Sequence, residues 1–594
     1  MKPTFRNLNY SDRLVYGSVS RLTNSGLLFF IFVCLSISCV QKTEQQGQVE
    51  DEVQQTPAVF STDTTELPLY IEKKINLISG NIPYDLAGAK IYADQAMHRL
   101  YDLNNFLPLW NEKEHLEAYI SILEDIHLDG LIAKDYDLSL LKNHLLKMDT
   151  TGANTSEDVA NMDLTATNSF LLLCLHLVEG KSEPKLLDPN WNYDFLQDSP
   201  AGLDSLYHFL TDYNINYCVD RLRSRNEFYL DMRKQLVRLY EIKENGGWNF
   251  IPSEGKVTPG DSSELIPLLR DRLLPKNTSD TSVTNQNLYD SVLCSAVKDF
   301  QTRHGLLNDG VVGAGTLKAL NIPVEEKINK VRINMERARW LTSDIQEKRV
   351  IVNIANFSAY LFNKDSLMYT SKVMVGKAFT KTPVFESVLS YAEFNPTWTV
   401  PRSITVNEML PKMRKDPTYL VKRNMKVITN SGKEVALSSI DLEGNFPFMI
   451  RQGAGSRNAL GRVKFIFPNP FSVYLHDTPS RYLFVKDVRA FSHGCIRLEN
   501  PLKWAELLLD KPKWNTKSIN ELILSGETTR VTPKEKVRVM ILYLTHIATA
   551  QGEAYYYEDI YDRDQKILKV LDAPINAQII DFKKKERSET RLAE

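Results

Sequence analysis

Between residues 349 and 530 the chain settles into a two-residue rhythm. Arg349-Val350-Ile351-Val352-Asn353-Ile354-Ala355 and Ala359-Tyr360-Leu361-Phe362 flank a turn, Tyr369 to Val375 runs into Gly376, and Ser387 to Phe394 runs into Asn395-Pro396. Short alternating runs rich in β-branched and aromatic residues, each closed by a turn former, read as strands with one buried face. The regular turns predict a mostly antiparallel β domain. Residues 403–450 interrupt it. Met409, Leu410 and Met413 share one helical face there, which predicts an inserted α-rich lid. A lid that closes over substrate and a static bundle that only buttresses the sheet both remain open.

At 594 residues the chain exceeds one core, and about 150 residues per domain suggests three or four units. Residues 67–255 have helical patterning, and Phe170 to Leu177 reads as a buried helix; this region predicts a helical scaffold domain. Residues 256–322 read as a three-helix module, with helical spacing at Leu265–Leu273 and Ala296–Gly305 and a restart at Thr316. Its His304 reads as a surface or C-terminal helix residue favoured by the helix dipole. Phe300, Leu317 and Leu320 read as core. After the β domain, 531–575 predicts a C-terminal strand region packed on the body, and 576–594 a loose polar tail. The fold class is multidomain α+β. A net charge of −2, and the lack of a basic run with interleaved aromatics, argue against nucleic acid as a partner.

The chemistry concentrates in Ser492-His493-Gly494-Cys495-Ile496-Arg497-Leu498 and in His476, which lies on the strand-like run Phe471-Ser472-Val473-Tyr474-Leu475-His476-Asp477. A nucleophilic thiol needs a base, a group that orients the base, and donors for an oxyanion. Cys495 is the candidate nucleophile, and His476 and His493 are the candidate bases. Gly494 permits the backbone twist of a tight turn. Arg497 can hold a carboxylate through two hydrogen bonds or form an ion pair within the fold. Ser492 can bond substrate or only shape the turn. After Cys495, Asn500-Pro501 reads as N-cap and first residue of a bracing helix, Leu502 to Leu509.

His476, fifteen intervening residues (477–491) and Ser-His-Gly-Cys-hydrophobic-Arg together resemble the catalytic motif of L,D-transpeptidases, which cross-link peptidoglycan. Lys381-Thr382-Pro383-Val384-Phe385 and Asn395-Pro396-Thr397-Trp398-Thr399-Val400-Pro401 are similar to runs of the same catalytic domain. Residues 67–255, 256–322 and 403–450 resemble the scaffold, peptidoglycan-binding module and capping subdomain of its large Gram-negative members. The resemblance implies that His476 is the proton donor and acceptor and that the Asp477 carbonyl orients its ring. It also implies an oxyanion hole from the amides of His493, Gly494 and Cys495. Gly453 to Gly461 looks like a substrate-wall loop, with Asn458 and Gly461 as binding residues. The implied reaction is a two-step acyl transfer through a Cys495 thioester, giving 3→3 cross-links between stem peptides of the meso-diaminopimelate type, with no metal or organic cofactor. Water, a free D-amino acid or an envelope protein could replace the amine acceptor. A non-catalytic wall-binding protein is the rival class. A serine mechanism is disfavoured, since no S-x-x-K box stands in a matching context.

Lys2, Arg6, Arg13 and Arg21 precede the apolar run Gly26–Ser38, which is too short for a span of about 20 residues. Residues 1–38 thus read as a signal segment. Leu35-Ser36-Ile37-Ser38-Cys39 resembles a relaxed lipobox with Cys39 as the lipidated residue; a short anchor or a plain secretory signal are the alternatives. Residues 39–66, rich in Gln, Glu, Thr and Asp, read as a disordered tether. The expected location is the periplasm or cell envelope of a Gram-negative bacterium, with membrane attachment through the N-terminus. No C-x-x-C spacing supports zinc, and pairing of Cys174 with Cys218 stays open.

Overall fold

A computed structural model describes residues 66–151, 155–192, 203–212, 214–252, 255–274, 285–341 and 347–575. The signal segment with Cys39, the tether before Glu66 and the tail from 576 lie outside the described residues. Among the described residues, no helix is long and apolar enough to cross a membrane.

The β region is built on a twelve-stranded mixed sheet. Its main path runs Thr529–Val531, Tyr391–Phe394, Val463–Ile466, Leu475–His476, Ile496–Leu498, Ser366–Gly376, Ser358–Asn363, Lys348–Asn353, Val537–Leu542, Val384–Val388 and Trp191–Asn192, with Ala490–Ser492 beside Ser366–Gly376. Most neighbours are antiparallel, but the central Lys348–Asn353 and Val537–Leu542 pair in parallel. The 531–575 segment is therefore no appendage. Val537, Val539 and Ile541 are at most 1% exposed and complete the core of the sheet. The far edge is closed by Trp191–Asn192 from the scaffold region, parallel to Val384–Val388. A two-residue strand carries too little pattern to be read in advance.

The insertion differs from the α-rich expectation. Besides a short helix at Leu410–Lys415 it holds a four-stranded sheet ordered Glu434–Val435, Met425–Ile428, Met449–Gln452 and Trp398–Thr399. Val400, Met409, Leu410, Met413, Met425, Val427 and Ile450 form its own core. The helical stripe is real, but these strands are too short for their alternation to stand out.

The scaffold is helical, with Ser156–Val178 as its buried axis. Cys174 and Cys218 are both free thiols, which answers the pairing question in the negative. Residues 256–322 form three helices, Leu265–Leu273, Ser291–Arg303 and Ala314–Leu320, around Phe300, Leu317 and Leu320. The helix Val324–Arg339 ties all parts together, although its many charges hide it from a hydrophobic pattern. Buried charges must be paired. Arg337 meets Asp564 at 2.7 Å, Arg332 meets Asp572 at 2.8 Å, and Glu336 accepts from the amide and hydroxyl of Ser182 at 2.7 and 2.8 Å. Scaffold and C-terminal segment are thereby fastened to one helix.

His304 corrects the surface reading. Its ring stacks on Phe300 at 3.9 Å and Tyr556 at 5.2 Å. Its Nε2 accepts from Lys327 Nζ at 2.9 Å. Burial first, and the Lys327 charge second, hold its pKa well below the ordinary histidine value, the reverse of a dipole-favoured imidazolium.

Candidate active site

Strand register assembles the site. Leu475–His476 pairs in parallel with Ile496–Leu498, with Leu475 opposite Ile496 and His476 opposite Arg497. Successive side chains point to opposite faces, so i and i+2 share a face. Leu475 and Ile496 drop into the core. Tyr474, His476, Cys495 and Arg497 are left as a two-by-two cluster on the other face, with Cys495 diagonal to His476.

The His476 ring is 4% exposed and its Nδ1–H donates to the Asp477 carbonyl at 2.5 Å. That bond selects the tautomer whose Nε2 carries the lone pair. The Leu460 carbonyl also faces the ring. Burial, helped by the Arg497 guanidinium, pushes the imidazole pKa down to about 3, so the ring is neutral at pH 7. The Asp477 carboxylate does not touch it. Its oxygens accept from Arg462, Arg481 and the Thr478 amide.

Burial pushes the Cys495 thiol up, while the Tyr474 amide and hydroxyl and the Arg497 charge pull it back. Tyr474 also bonds Trp398 of the cap, so a chain of contacts runs from cap to thiol. Arg497 has a buried Nε with no hydrogen-bond partner, and burial lowers its pKa. No ion pair to Arg497 is found among the described residues.

The turn before Cys495 is cradled from behind. Gly494 sits at φ +116°, where an L side chain would be strained. Its carbonyl accepts from Thr382 Oγ1 at 2.8 Å, and the Ser492 carbonyl accepts from Thr380 Oγ1 at 3.0 Å. The Tyr561 hydroxyl donates to the Gly376 carbonyl at 2.6 Å and accepts from the Thr382 amide at 3.2 Å, bracing that loop. The Gly494 amide donates to Ser492 Oγ at 3.1 Å. This engages one of the three expected oxyanion donors and gives Ser492 the turn-shaping role.

The His493 side chain turns toward the cap. Its Nε2 lies 2.6 Å from Glu408 Oε1, across the gap to the cap. Glu408 sits in a π-helical turn, Thr405–Met409. Asn458 is 2% exposed; its amide donates to the carbonyls of Pro396 and Gly453 and its oxygen accepts from the Leu460 amide. Both ends of its amide are thus engaged in bracing the loop backbone. Gly461, at φ +63°, has the Asp477 side chain within 2.4 Å of where a Cβ would stand. It allows the chain to pack closely against Asp477. Asn500 precedes the helix Pro501–Leu509 in the left-handed region, without a side-chain cap bond.

Tyr474, Thr380, Thr382 and Glu408 escape a reading of the motif alone. Tyr474 had a usable signal, its i, i+2 relation to His476. Glu408 had none.

A parallel strand pair sets a half-buried thiol diagonal to a carbonyl-oriented imidazole, beneath a mixed cap, an arrangement able to support acyl transfer. Models of known domains match three parts of the chain: "L,D-transpeptidase catalytic domain" over 347–531, "Scaffold domain" over 95–236, and "Putative peptidoglycan binding domain" over 271–320. The chain thus carries a region matching the L,D-transpeptidase catalytic domain, with regions matching a scaffold domain and a peptidoglycan-binding domain ahead of it. A protein of Haemophilus influenzae named "Putative L,D-transpeptidase" is 33% identical over 252 residues, covering 41% of this chain. The chain spans about half (51%) of the length of that relative. Among solved structures, an L,D-transpeptidase from Xylanimonas cellulosilytica is 13% identical with a TM-score of 0.17, covering 49% of this chain and 98% of its own. One from Stackebrandtia nassauensis is 14% identical with a TM-score of 0.19, covering 48% and 96%.

Proposed function

We propose that this protein is a peptidoglycan L,D-transpeptidase of the cell envelope that forms 3→3 cross-links through a Cys495 thioester. The observation that carries the reading is the shared face of Cys495, His476, Tyr474 and Arg497. The catalytic and peptidoglycan-binding matches support the substrate class.

In this reading the thiol gives its proton to His476 Nε2 as the sulfur attacks the third-residue carbonyl of a donor stem tetrapeptide. The amides of His493 and Cys495 hold the oxyanion. His476 returns the proton to the departing D-Ala amine, leaving a thioester. The side-chain amine of a second stem, of the meso-diaminopimelate type, attacks the thioester carbon. A C–N bond forms, the C–S bond breaks, and the thiol is regenerated. Arg497 holds a donor carboxylate with its unpartnered guanidinium. An N-terminal lipid on Cys39 would attach the body to a membrane.

Incubating purified protein with disaccharide-tetrapeptide and separating the products tests this. Wild type should release D-Ala and yield 3→3 dimers, and Cys495→Ala neither. Tripeptide without dimer would make the protein an L,D-carboxypeptidase.

A further inference from the structure

The His493–Glu408 pair belongs to the site but has no part in the acylation step described above. The two residues come from different units, the nucleophile turn and the cap, and meet at 2.6 Å. Both side chains are partly open to solvent, at 36% and 41%, unlike the 4%-exposed His476. Only one oxygen of Glu408 is engaged by His493; among the described residues Oε2 has no hydrogen bond. Glu408 is held in place because the next residue, Met409, is anchored in the cap core. The π-helical turn at Thr405–Met409 adds a residue to the local turn, a device found often at functional sites.

The second half-reaction needs something the first does not. An aliphatic amine acceptor is an ammonium ion at neutral pH. It must be bound as a cation and then relieved of a proton before it can attack. A carboxylate paired to an accessible imidazole, two residues from the acylated sulfur, meets both needs. Arg497, on the strand face shared with Cys495 and His476, offers positive charge to a donor carboxylate, and Glu408 offers negative charge from the cap.

We infer that Glu408 and His493 form the acceptor subsite, binding the primary ammonium of the incoming stem and removing its proton. The inference rests on the transpeptidase reading above. Glu408 Oε2 accepts from the ammonium, and a proton passes to the unprotonated Nδ1 of His493, whose Nε2–H is donated to Glu408 Oε1. The free amine attacks the thioester carbon, forming C–N and breaking C–S. The second nitrogen proton passes through His476 to the departing thiolate, and His493 releases its proton to water. Protons balance: one ends on the Cys495 thiol and one in solvent.

The test is the ratio of dimer to hydrolysed tripeptide, which does not depend on how fast the acyl-enzyme forms. Glu408→Gln keeps a hydrogen-bonding partner for His493 but loses the charge. The ratio should fall about tenfold or more, the scale of a lost charge-assisted hydrogen bond, and Glu408→Asp should recover part of it. The loss should be greater with the stem ammonium than with hydroxylamine, which is uncharged at neutral pH. A looser cap alone would lower both products together and leave the ratio. An unchanged ratio, or equal losses with both acceptors, overturns the inference while leaving the transpeptidase standing. Neither dimer nor tripeptide from wild type overturns the transpeptidase reading, and the inference with it.

Discussion

His476 and Asp477 are adjacent in sequence yet divide their work between main chain and side chain. The Asp477 carbonyl accepts from His476 Nδ1 at 2.5 Å, while its carboxylate turns away to Arg462 and Arg481. A carbonyl orients an imidazole without stabilising its charge as a carboxylate would. The ring therefore stays neutral in its buried place.

Gly461 fastens that arrangement from below. Gly461→Ala would put a Cβ within 2.4 Å of the Asp477 side chain, in the left-handed region. The variant should lose about 2 kcal/mol of stability in urea denaturation. It should also release D-Ala more slowly, because Asp477 and the His476 acceptor move together.

The thiol is tuned by opposing effects. Burial raises its pKa above the ordinary value, and Tyr474 and Arg497 lower it. A nearby positive charge favours thiolate, so Arg497→Gln should push the thiol higher still. Alkylation of the Cys495 peptide by iodoacetamide, followed against pH, should show a midpoint at higher pH than wild type. An unmoved midpoint would place Arg497 outside the electrostatic reach of the sulfur.

Much of this was legible in the sequence where the pattern was dense. The motif from His476 to Leu498 and the long alternating runs are local signals, and register alone carries them into a shared face. What stayed hidden depends on distant partners. Glu408 meets His493 across 85 residues, and Thr382 meets the Gly494 carbonyl across 112. The helix Val324–Arg339 carries many charges whose partners, Asp564, Asp572 and Ser182, lie far away in sequence. Asn458 looked like a substrate contact because a polar residue in a Gly-rich loop is ambiguous. Only the backbone around it shows that its amide is engaged.

His546, fully buried on the strand His546–Ala548, gives a pH prediction. Burial, with Lys330 and Lys327 nearby, holds its pKa at about 3 against an ordinary 6.5. Between those values the unfolded chain binds the proton and the folded chain does not. This contribution is therefore fully present above pH 6.5 and is lost as pH falls toward 3. From pH 7 to pH 5 it amounts to about 2 kcal/mol. Urea unfolding of wild type and His546→Leu at both pH values should show the gap between them shift by about that amount, the variant losing less on acidification.

The central claim is that Cys495 is the acylated residue. Intact-protein mass spectrometry after brief exposure to disaccharide-tetrapeptide, followed by peptide mapping, tests it most directly. The account predicts a hydroxylamine-labile adduct of the donor lacking its terminal D-Ala, on the peptide containing Cys495, absent from Cys495→Ala. Turnover to 3→3 dimers that persists in a folded Cys495→Ala protein, or an adduct mapped to another residue, would contradict it.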